Sequence, residues 1–210
     1  IFPDPAAQAG AYLAAAYSLP ESLADKWVAD LGSLDKAVAV AEHANARPPL
    51  IVRVNALKTT PAAVLAELAA AGVAARPHAN GLSIVLDDTR DPTSLPAFVR
   101  GEIQPQDPTA TAVGIAAAPR PGGEVLDLCA APGTKTTHLA ELMANQGRIV
   151  AADVSSEKIE RIESNCRRMG ITIVQTMAAE AIGSLAGGTF DLVLADVPCS
   201  NTGVLARRAE

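Results

Sequence analysis

Short apolar segments that alternate with helical stretches constrain the fold of this chain more than any other feature. Strands and helices in this rhythm form βαβ units, which build a parallel sheet covered by helices. Ser155 is a good N-cap and Gly170 a good C-terminal stop for one of the helices. The sequence therefore predicts a doubly wound α/β domain over 106–210. Its predicted strands are 124–128, 148–152, 171–175 and 190–195, and its predicted helices are 108–118, 134–145 and 155–169.

The region before this domain predicts two smaller units. Apolar residues recur at helical spacing from 6 to about 46, with Pro20 and Gly32 as interruptions. We therefore expect two or three short helices in 1–48, as a linker or as the remnant of an upstream helical domain. The segment 49–105 predicts a small α+β subdomain. Its predicted elements are a strand at 51–55, a helix from Pro61 to Gly72 with Thr60 as N-cap, and strands at 73–77 and 82–86.

The charge balance restricts how the chain can bind nucleic acid. The formal net charge is −6, whereas proteins that coat nucleic acid without selectivity need many contacts from Lys and Arg to phosphate. Any nucleic-acid site is therefore expected to be a local basic patch, and for each candidate residue the alternative is a solvated helix or loop surface. The candidates are Arg47, Arg53 and Lys58, then Arg161, Arg167 and Arg168, and finally Arg207 and Arg208.

Composition and cysteine usage exclude other classes of protein. Hydrophobic residues make up 49% of the chain, yet no uninterrupted apolar stretch reaches the roughly 18–20 residues that span a bilayer. Cys129, Cys166 and Cys199 are too few and too scattered for a disulfide framework, and none belongs to a CxxC unit with metal-ligand spacing. We therefore expect no membrane span and no metal site, and a reducing, cytoplasmic setting.

The loop 129–133 follows the first predicted strand of the α/β domain. Ligands of open α/β sheets bind beyond the carboxyl ends of the strands, and small residues let a loop backbone approach them. The helix that begins near Thr134 presents free N–H groups to an anionic group such as a carboxylate. Asp153 ends the next strand, where a carboxylate can accept hydrogen bonds from ribose hydroxyls; its alternative role is to cap the following helix. Together these features predict a cofactor that contains adenosine.

Two other cofactor classes disagree with the residues of this loop. A phosphate-binding loop needs glycine where the chain has Cys129 and Thr134, although Lys135-Thr136 fits the end of that motif. A dinucleotide fingerprint needs further glycines, but only Gly133 follows the strand. A nucleoside triphosphatase and a hydride-transfer enzyme are therefore disfavoured.

A second candidate segment follows the last predicted strand, which delivers Asp196 and Cys199 to the same edge of the sheet. A thiolate adds readily to electron-poor rings, and its addition at carbon 6 of a pyrimidine makes carbon 5 nucleophilic enough to accept a methyl group. Asp196 is placed to hold the polar edge of such a ring. For Cys199 considered alone, the alternative is a small buried residue in a tight turn. Cys129 and Cys166 are expected to have packing roles, the first under the loop and the second on a helix.

The motifs at 127–136 and 196–205 resemble those of a known protein family. They are Asp-Leu-Cys-Ala-Ala-Pro-Gly-Thr-Lys-Thr and Asp-Val-Pro-Cys-Ser-Asn-Thr-Gly-Val-Leu, and they resemble the NOL/NOP/Sun family of RNA cytosine-5 methyltransferases. This resemblance implies a Rossmann-like S-adenosylmethionine-dependent methyltransferase domain over 106–210, preceded by an RNA-binding subdomain at 49–105. Further similarities lie in Arg53-Val-Asn55 with Lys58, in Gln106-Asp107, and in Tyr17-Ser-Leu-Pro20 with Trp27, the last most like bacterial enzymes that act on small-subunit ribosomal RNA.

The resemblance also implies roles for individual residues. Asp196 contacts the cofactor site or the target cytosine, and Cys199 assists release of the methylated product. The nucleophilic cysteine of the family lies in a later Thr-Cys motif, which is expected beyond residue 210. Glu180 stands in place of the usual Asp near the adenine. The residues implied to surround S-adenosylmethionine are Cys129, Ala130, Ala131, Pro132, Gly133, Thr134, Lys135, Asp153 and Asp196.

The sequence therefore predicts an enzyme that transfers a methyl group from S-adenosylmethionine to carbon 5 of cytosine in ribosomal RNA. The alternative is a non-catalytic RNA-binding or ribosome-assembly protein that retains the fold. Methylation of a small molecule or a protein is disfavoured by Pro198-Cys199. A start at Ile1 and a sheet that stops after its fourth strand indicate truncation at both ends, so this chain alone is expected to bind cofactor weakly and to show no turnover.

Overall fold

The computed structural model describes residues 2–87, 91–185 and 190–199. The chain divides into two compact units. The first contains the residues up to Pro48 together with Cys199, and the second is Pro49–Pro198. Within the described ranges, no helix combines the length and the apolar character that crossing a bilayer requires.

The first unit is helical, as predicted. It contains α1 (Ala9–Tyr17), α2 (Glu21–Leu31) and α3 (Leu34–Asn45), which are separated at the predicted interruptions. Pro20 is the N-cap of α2, and Gly32 ends that helix in a left-handed conformation with a φ of 64°. The buried hydrophobic core of this unit is formed by Leu13, Ala24, Ala37 and Ala41.

The second unit begins with an antiparallel sheet. Its strands are β1 (Leu50–Val54), β2 (Ala75–Pro77), β3 (Ser83–Leu86) and β4 (Ile103–Pro105), in the order β2-β3-β1-β4. The helix α4 (Pro61–Ala70) follows β1. A 3₁₀ turn (Pro92–Ser94) and the short helix α5 (Pro96–Val99) precede β4. This succession of strands and helices is that of a ferredoxin-like fold.

The strands and the helix predicted for this small sheet are confirmed, but its last helix and last strand were not predicted. Thr60 caps α4 as expected, because its side-chain oxygen accepts a hydrogen bond from the Ala63 amide at 3.3 Å. The sequence did not predict α5 or β4, which contain four and three residues. Segments this short complete little more than one period of a helix or a strand, so their pattern carries almost no signal.

The parallel sheet of the second unit confirms the predicted α/β arrangement. Its strands are β5 (Glu124–Asp127), β6 (Arg148–Asp153), β7 (Val174–Ala178) and β8 (Leu192–Leu194), in the order β7-β6-β5-β8 and parallel at each pairing. The helices are α6 (Pro108–Ala117), α7 (Thr134–Leu142) and α8 (Ser156–Met169). Since β5 lies between β6 and β8, the loops that follow β5 and β8 are neighbours at one edge of the sheet.

The third strand of this sheet begins three residues later than predicted, and the end of α8 explains the shift. Ser155 caps the start of α8 and Gly170 ends it with a φ of 76°, both as predicted. The Ile171 amide then donates to the Cys166 carbonyl at 2.9 Å, so Ile171 closes the helix. The Ile171 side chain enters the core there, and β7 starts only at Val174.

Candidate functional site

The predicted cofactor loop, 129–133, lies at the carboxyl end of β5. Its backbone is tied to both neighbouring strands. The Leu128 amide donates to the Leu194 carbonyl at 2.9 Å, and the Ala130 amide donates to the Ala152 carbonyl at 3.0 Å. The loop is therefore fixed against β6 on one side and against β8 on the other.

Gly133 ends this loop immediately before α7. Its φ is 93°, and a Cβ at this position would lie 3.2 Å from the Cα of Ile162 on α8. Both the backbone conformation and the close approach of α8 favour glycine. Thr134 and Lys135, the first residues of α7, line a cavity beside the loop. The positive end of the helix dipole therefore lies at this cavity.

The structure joins the two sequence motifs by an ion pair. Lys135 Nζ lies 2.5 Å from Asp196 Oδ2. The Lys135 side chain is 21% exposed and the Asp196 side chain is 53% exposed. Because Lys135 follows β5 and Asp196 follows β8, the contact links the two loops across adjacent parallel strands. The predicted placement of the 129–133 loop and Asp196 at one edge of the sheet is confirmed, whereas residues 200–205 of the second motif lie outside the described residues.

The cavity between these loops contains an unpaired buried carboxylate oxygen. Asp127 is 1% exposed, and its Oδ2 accepts a hydrogen bond from Thr136 Oγ1 at 2.7 Å. Its Oδ1 has no hydrogen-bond partner among the described residues. Burial raises the pKa of Asp127 to about 6, although the hydrogen bond from Thr136 opposes this shift. The cavity has a volume of about 60 Å³, and its lining residues are Asp127, Cys129, Ala130, Ala131, Pro132, Thr134, Lys135 and Asp196.

An unpaired buried acceptor indicates a ligand that carries a hydrogen-bond donor. The sequence motif contains Asp127, but sequence reasoning gave it no role. The available signal was a carboxylate at the last position of a buried strand, directly before the loop.

Asp153 connects the end of β6 to the same loop. Its Oδ2 accepts a hydrogen bond from the Ala131 amide at 3.0 Å, and its Oδ1 accepts one from the Val154 amide at 2.7 Å and lies 3.0 Å from Lys158 Nζ. Burial alone would raise the pKa of Asp153, but the contacts with Lys158 and the two amides together lower it. The alternative role as a helix cap is wrong, because Ser155 is the N-cap of α8.

The basic residues predicted to form an RNA patch divide into two groups. Arg53 is 0% exposed and bonds to α7, so its assignment to a solvated or RNA-binding surface is wrong. Lys58 donates to the Arg100 and Arg168 carbonyls at 2.6 and 2.9 Å, and Arg168 is half-buried. The exposed candidates are Arg47, Lys58, Arg161 and Arg167, whereas Arg207 and Arg208 lie outside the described residues.

The cysteines occupy different environments. Cys129 is half-buried and lines the cavity. Cys166 lies in the core of the parallel sheet, where burial raises the pKa of its thiol to about 11 and disfavours the reactive thiolate. Cys199 is exposed. Glu180 is exposed as well and lies in a 3₁₀ helix (Ala179–Ser184) directly after β7.

In the part of the chain that the structure describes, no group of three or more His, Cys, Asp or Glu side chains is arranged to hold a metal ion.

Two family models match this chain. Residues 114–210 match the family described as 16S rRNA methyltransferase RsmB/F, and residues 19–91 match a RsmF/B-like, ferredoxin-like domain. The ribosomal RNA small subunit methyltransferase B of Shigella flexneri is 37% identical over 175 residues, which cover 82% of this chain and 41% of that protein. The chain therefore spans about two fifths of the length of this curated relative.

Solved structures show the same likeness. The crystal structure of a methyltransferase homolog protein from Pyrococcus horikoshii has a TM-score of 0.81 and 30% identity, with 98% of this chain and 67% of that chain covered. The crystal structure of PH0851 has a TM-score of 0.89 and 32% identity, with 100% of this chain and 48% of that chain covered. The predicted Rossmann-like fold of S-adenosylmethionine-dependent methyltransferases is confirmed. With both domains matched in sequence and in structure, the chain belongs to the RsmB/F family of 16S rRNA methyltransferases.

Proposed function

We propose that the protein to which this chain belongs transfers a methyl group from S-adenosylmethionine to carbon 5 of a cytosine in small-subunit ribosomal RNA. The observation that carries this proposal is the ion pair between Lys135 and Asp196, which joins the two family motifs at adjacent strand ends. Membership of the RsmB/F family supports the reaction class and the RNA substrate. A ribosomal RNA substrate would place the protein in the cytoplasm.

The residues around the cavity fit the polar ends of S-adenosylmethionine, which supplies an electrophilic methyl group when it is bound. Asp127 Oδ1 is a buried acceptor suited to the α-ammonium group. The first N–H groups of α7 suit the α-carboxylate. Asp153 engages three donors, and a carboxylate has about four acceptor positions, so one position is left for a ribose hydroxyl.

Binding of S-adenosylhomocysteine, measured by calorimetry with this chain and with the full-length protein, tests the cofactor part of the proposal. Asp127→Asn is expected to weaken binding about tenfold or more, since a hydrogen bond to a charged group contributes about 1.5–3 kcal/mol. Asp87→Asn is the matched control, because Asp87 is exposed on the small sheet, and it should leave the affinity unchanged. Absence of saturable binding by the full-length protein would contradict the proposal.

The target site is proposed from the second motif. Asp196 is exposed enough to contact the cytosine while it pairs with Lys135. A thiolate that adds to carbon 6 of the cytosine activates carbon 5, and release of the product requires loss of the carbon 5 proton and cleavage of the carbon–sulfur bond. We assign the addition to a cysteine of a later Thr-Cys motif and assistance in release to Cys199.

This division of roles is tested with the full-length protein and small-subunit ribosomal RNA. Cys199→Ala is expected to accumulate a covalent protein–RNA adduct that survives a denaturing gel, because addition proceeds and release is slowed. Cys166→Ala, which changes a buried cysteine of the core, serves as the control and should accumulate no adduct. A non-catalytic RNA-binding protein would give neither an adduct nor incorporation of labelled methyl groups.

A further inference from the structure

Two carbonyl oxygens flank Gly133, one in the cofactor loop and one at the first residue of α7, and both accept hydrogen bonds from side chains outside the loop. The Pro132 carbonyl accepts a hydrogen bond from Asn165 Nδ2 at 2.8 Å, and the Thr134 carbonyl accepts one from Arg53 Nη1 at 3.0 Å. Neither donor lies on the strands that flank the loop. Asn165 lies on α8, and Arg53 lies on β1 of the small sheet.

Buried hydrogen bonds fix the orientation of the Arg53 guanidinium group. Its guanidinium donates to Glu141 twice, from Nη2 to Oε1 at 2.7 Å and from Nε to Oε2 at 3.2 Å. Nη2 also donates to Thr137 Oγ1 at 3.2 Å, and Nη1 donates to Gln106 Oε1. A bidentate arginine–carboxylate pair fixes the plane of the guanidinium. The donor that reaches Thr134 is therefore positioned by a pair that bridges β1 and α7.

Asn165 is oriented by its neighbour Arg168. Arg168 Nη2 donates to Asn165 Oδ1 at 3.0 Å, which turns the amide nitrogen of Asn165 toward Pro132. Arg168 Nη1 donates in turn to the carbonyls of Phe98 and Ile103 at 2.8 and 3.1 Å. Its guanidinium carbon lies 3.8 Å from the centre of the Phe98 ring, within cation–π range. The position of Arg168 is therefore set by the end of the small sheet.

We propose that Arg53 and the pair Arg168–Asn165 are positioning residues through which the small α+β subdomain holds the cofactor loop in its binding conformation. This inference rests on the proposed function of the loop as the site for S-adenosylmethionine. One connection runs from the small sheet to the Pro132 carbonyl in the loop and the other to the Thr134 carbonyl where the loop joins α7, both through side chains that are buried or half-buried. A loop that is already ordered in the free protein loses less conformational entropy when it binds a ligand than a flexible loop does. The subdomain thus contributes to cofactor affinity without lying at the cavity.

Asn165→Asp separates this role from folding. The variant keeps the size of the side chain and its contact with Arg168, but it replaces the donor to Pro132 with an oxygen that repels the carbonyl. The expected results are a Kd for S-adenosylhomocysteine about tenfold higher, equivalent to one lost hydrogen bond, and a thermal midpoint close to that of the wild type. Amide exchange of a peptide spanning 128–136, followed by mass spectrometry without cofactor, should be faster by a similar factor.

A matched pair on the same helix gives the second test. Arg168→Lys keeps the charge but loses the guanidinium group that donates to Asn165, Phe98 and Ile103. A higher Kd for S-adenosylhomocysteine and faster amide exchange of 128–136 are therefore expected. Arg167→Lys alters an exposed neighbour and should leave both readouts at wild-type values. Arg53→Lys is expected to behave as Arg168→Lys does.

The two readouts keep this inference separate from the proposed function. Failure of the wild-type protein to bind S-adenosylhomocysteine would refute the cofactor assignment, while loop exchange would still decide whether these residues order the loop. Wild-type binding combined with unchanged affinity and unchanged loop exchange in Asn165→Asp and Arg168→Lys would overturn the inference alone.

Discussion

His138 lies on α7 with 1% of its surface exposed, and neither ring nitrogen has a hydrogen-bond partner in the described part of the chain. Burial lowers the pKa of this imidazole to about 3, with a further contribution from the charge of Arg53. The unfolded chain takes up this proton near pH 6.5, whereas the folded protein excludes it. The contribution of His138 to the free energy of unfolding therefore falls as the pH decreases below about 6.5, by about 2 kcal/mol between pH 7 and pH 5.

Urea denaturation of the wild type and of His138→Leu at both pH values tests this effect. The variant is expected to lose about 2 kcal/mol less than the wild type on acidification. Asp127 titrates in the same range with the opposite sign, because burial raises its pKa to about 6, but both proteins contain it. His43→Leu, at an exposed position, is the control and should keep the wild-type difference. An identical pH dependence in wild type and His138→Leu would show that the assignment is wrong.

Arg53 shows what a local pattern can and cannot predict for one residue. The alternation Ile51-Val52-Arg53-Val54 correctly indicates a strand whose two faces differ. Val52 and Val54 enter the core of the small sheet, as an alternating strand requires. The polar face, however, meets α7 instead of water, because Glu141 supplies a carboxylate there. That partner lies 88 positions away in the sequence, and no local signal identifies it.

At the level of elements, the turn between α5 and β4 lies directly against the end of α8. Gly101 has a φ of 71°, and a Cβ at this position would lie 2.0 Å from the carbonyl oxygen of Arg168. Gly101→Ala therefore combines backbone strain with a steric clash against backbone atoms. A positive φ costs alanine about 1–2 kcal/mol, and overpacking adds about 1–3 kcal/mol.

The strain and the clash can be separated with a second glycine. Gly81 has the same φ of 71°, but no described atom lies within 4 Å of its would-be Cβ. Thermal and urea denaturation should show Gly101→Ala to be less stable than Gly81→Ala by about 1–3 kcal/mol. Equal stabilities of the two variants would indicate that the turn moves away from α8 at little cost.

Element boundaries were predicted well where a helix end has its own chemistry. Thr60, Ser155 and Gly170 all mark the ends at which the structure places them. The start of β7 was predicted less well, because Ile171 is apolar for a different reason: it packs where α8 ends. A buried apolar residue after a glycine stop is consistent with either a strand or a helix-end contact, and only the tertiary structure distinguishes them.

At the level of the whole molecule, topology predicts much of the candidate site. Parallel strands bring their carboxyl ends to one edge, so the motifs after β5 and β8 were expected to be neighbours, and Lys135 and Asp196 are in contact. The hydrogen bond from Asn165 to Pro132 was not predicted. It depends on the way α8 lies beside the loop and on Arg168, whose own partners belong to the other sheet. Contacts of this kind follow from packing and leave no motif.

The two units differ in the hydrophobic cores that support them. The first unit buries Leu13 with three alanines, whereas the parallel sheet alone buries larger side chains such as Leu139, Met143 and Ile149. A unit of about 60 residues buries only about 60% of the surface that its unfolded chain exposes and is marginally stable. We therefore expect the helices of the first unit to unfold at a lower urea concentration than the second unit.

Trp27 allows the unfolding of the first unit to be followed separately, because it is the single tryptophan of the sequence and packs against the hydrophobic core of that unit. Its fluorescence should change at a lower urea concentration than the main transition in far-UV circular dichroism. Leu13→Ala is expected to lower the fluorescence midpoint selectively, since removal of a buried leucine costs about 2–5 kcal/mol. Ile149→Val should lower the free energy of unfolding of the second unit by about 0.5–1.5 kcal/mol. It should therefore lower the midpoint of the main dichroism transition and leave the fluorescence midpoint unchanged. Superimposable transitions by both probes, displaced together in both variants, would show that the units unfold as one.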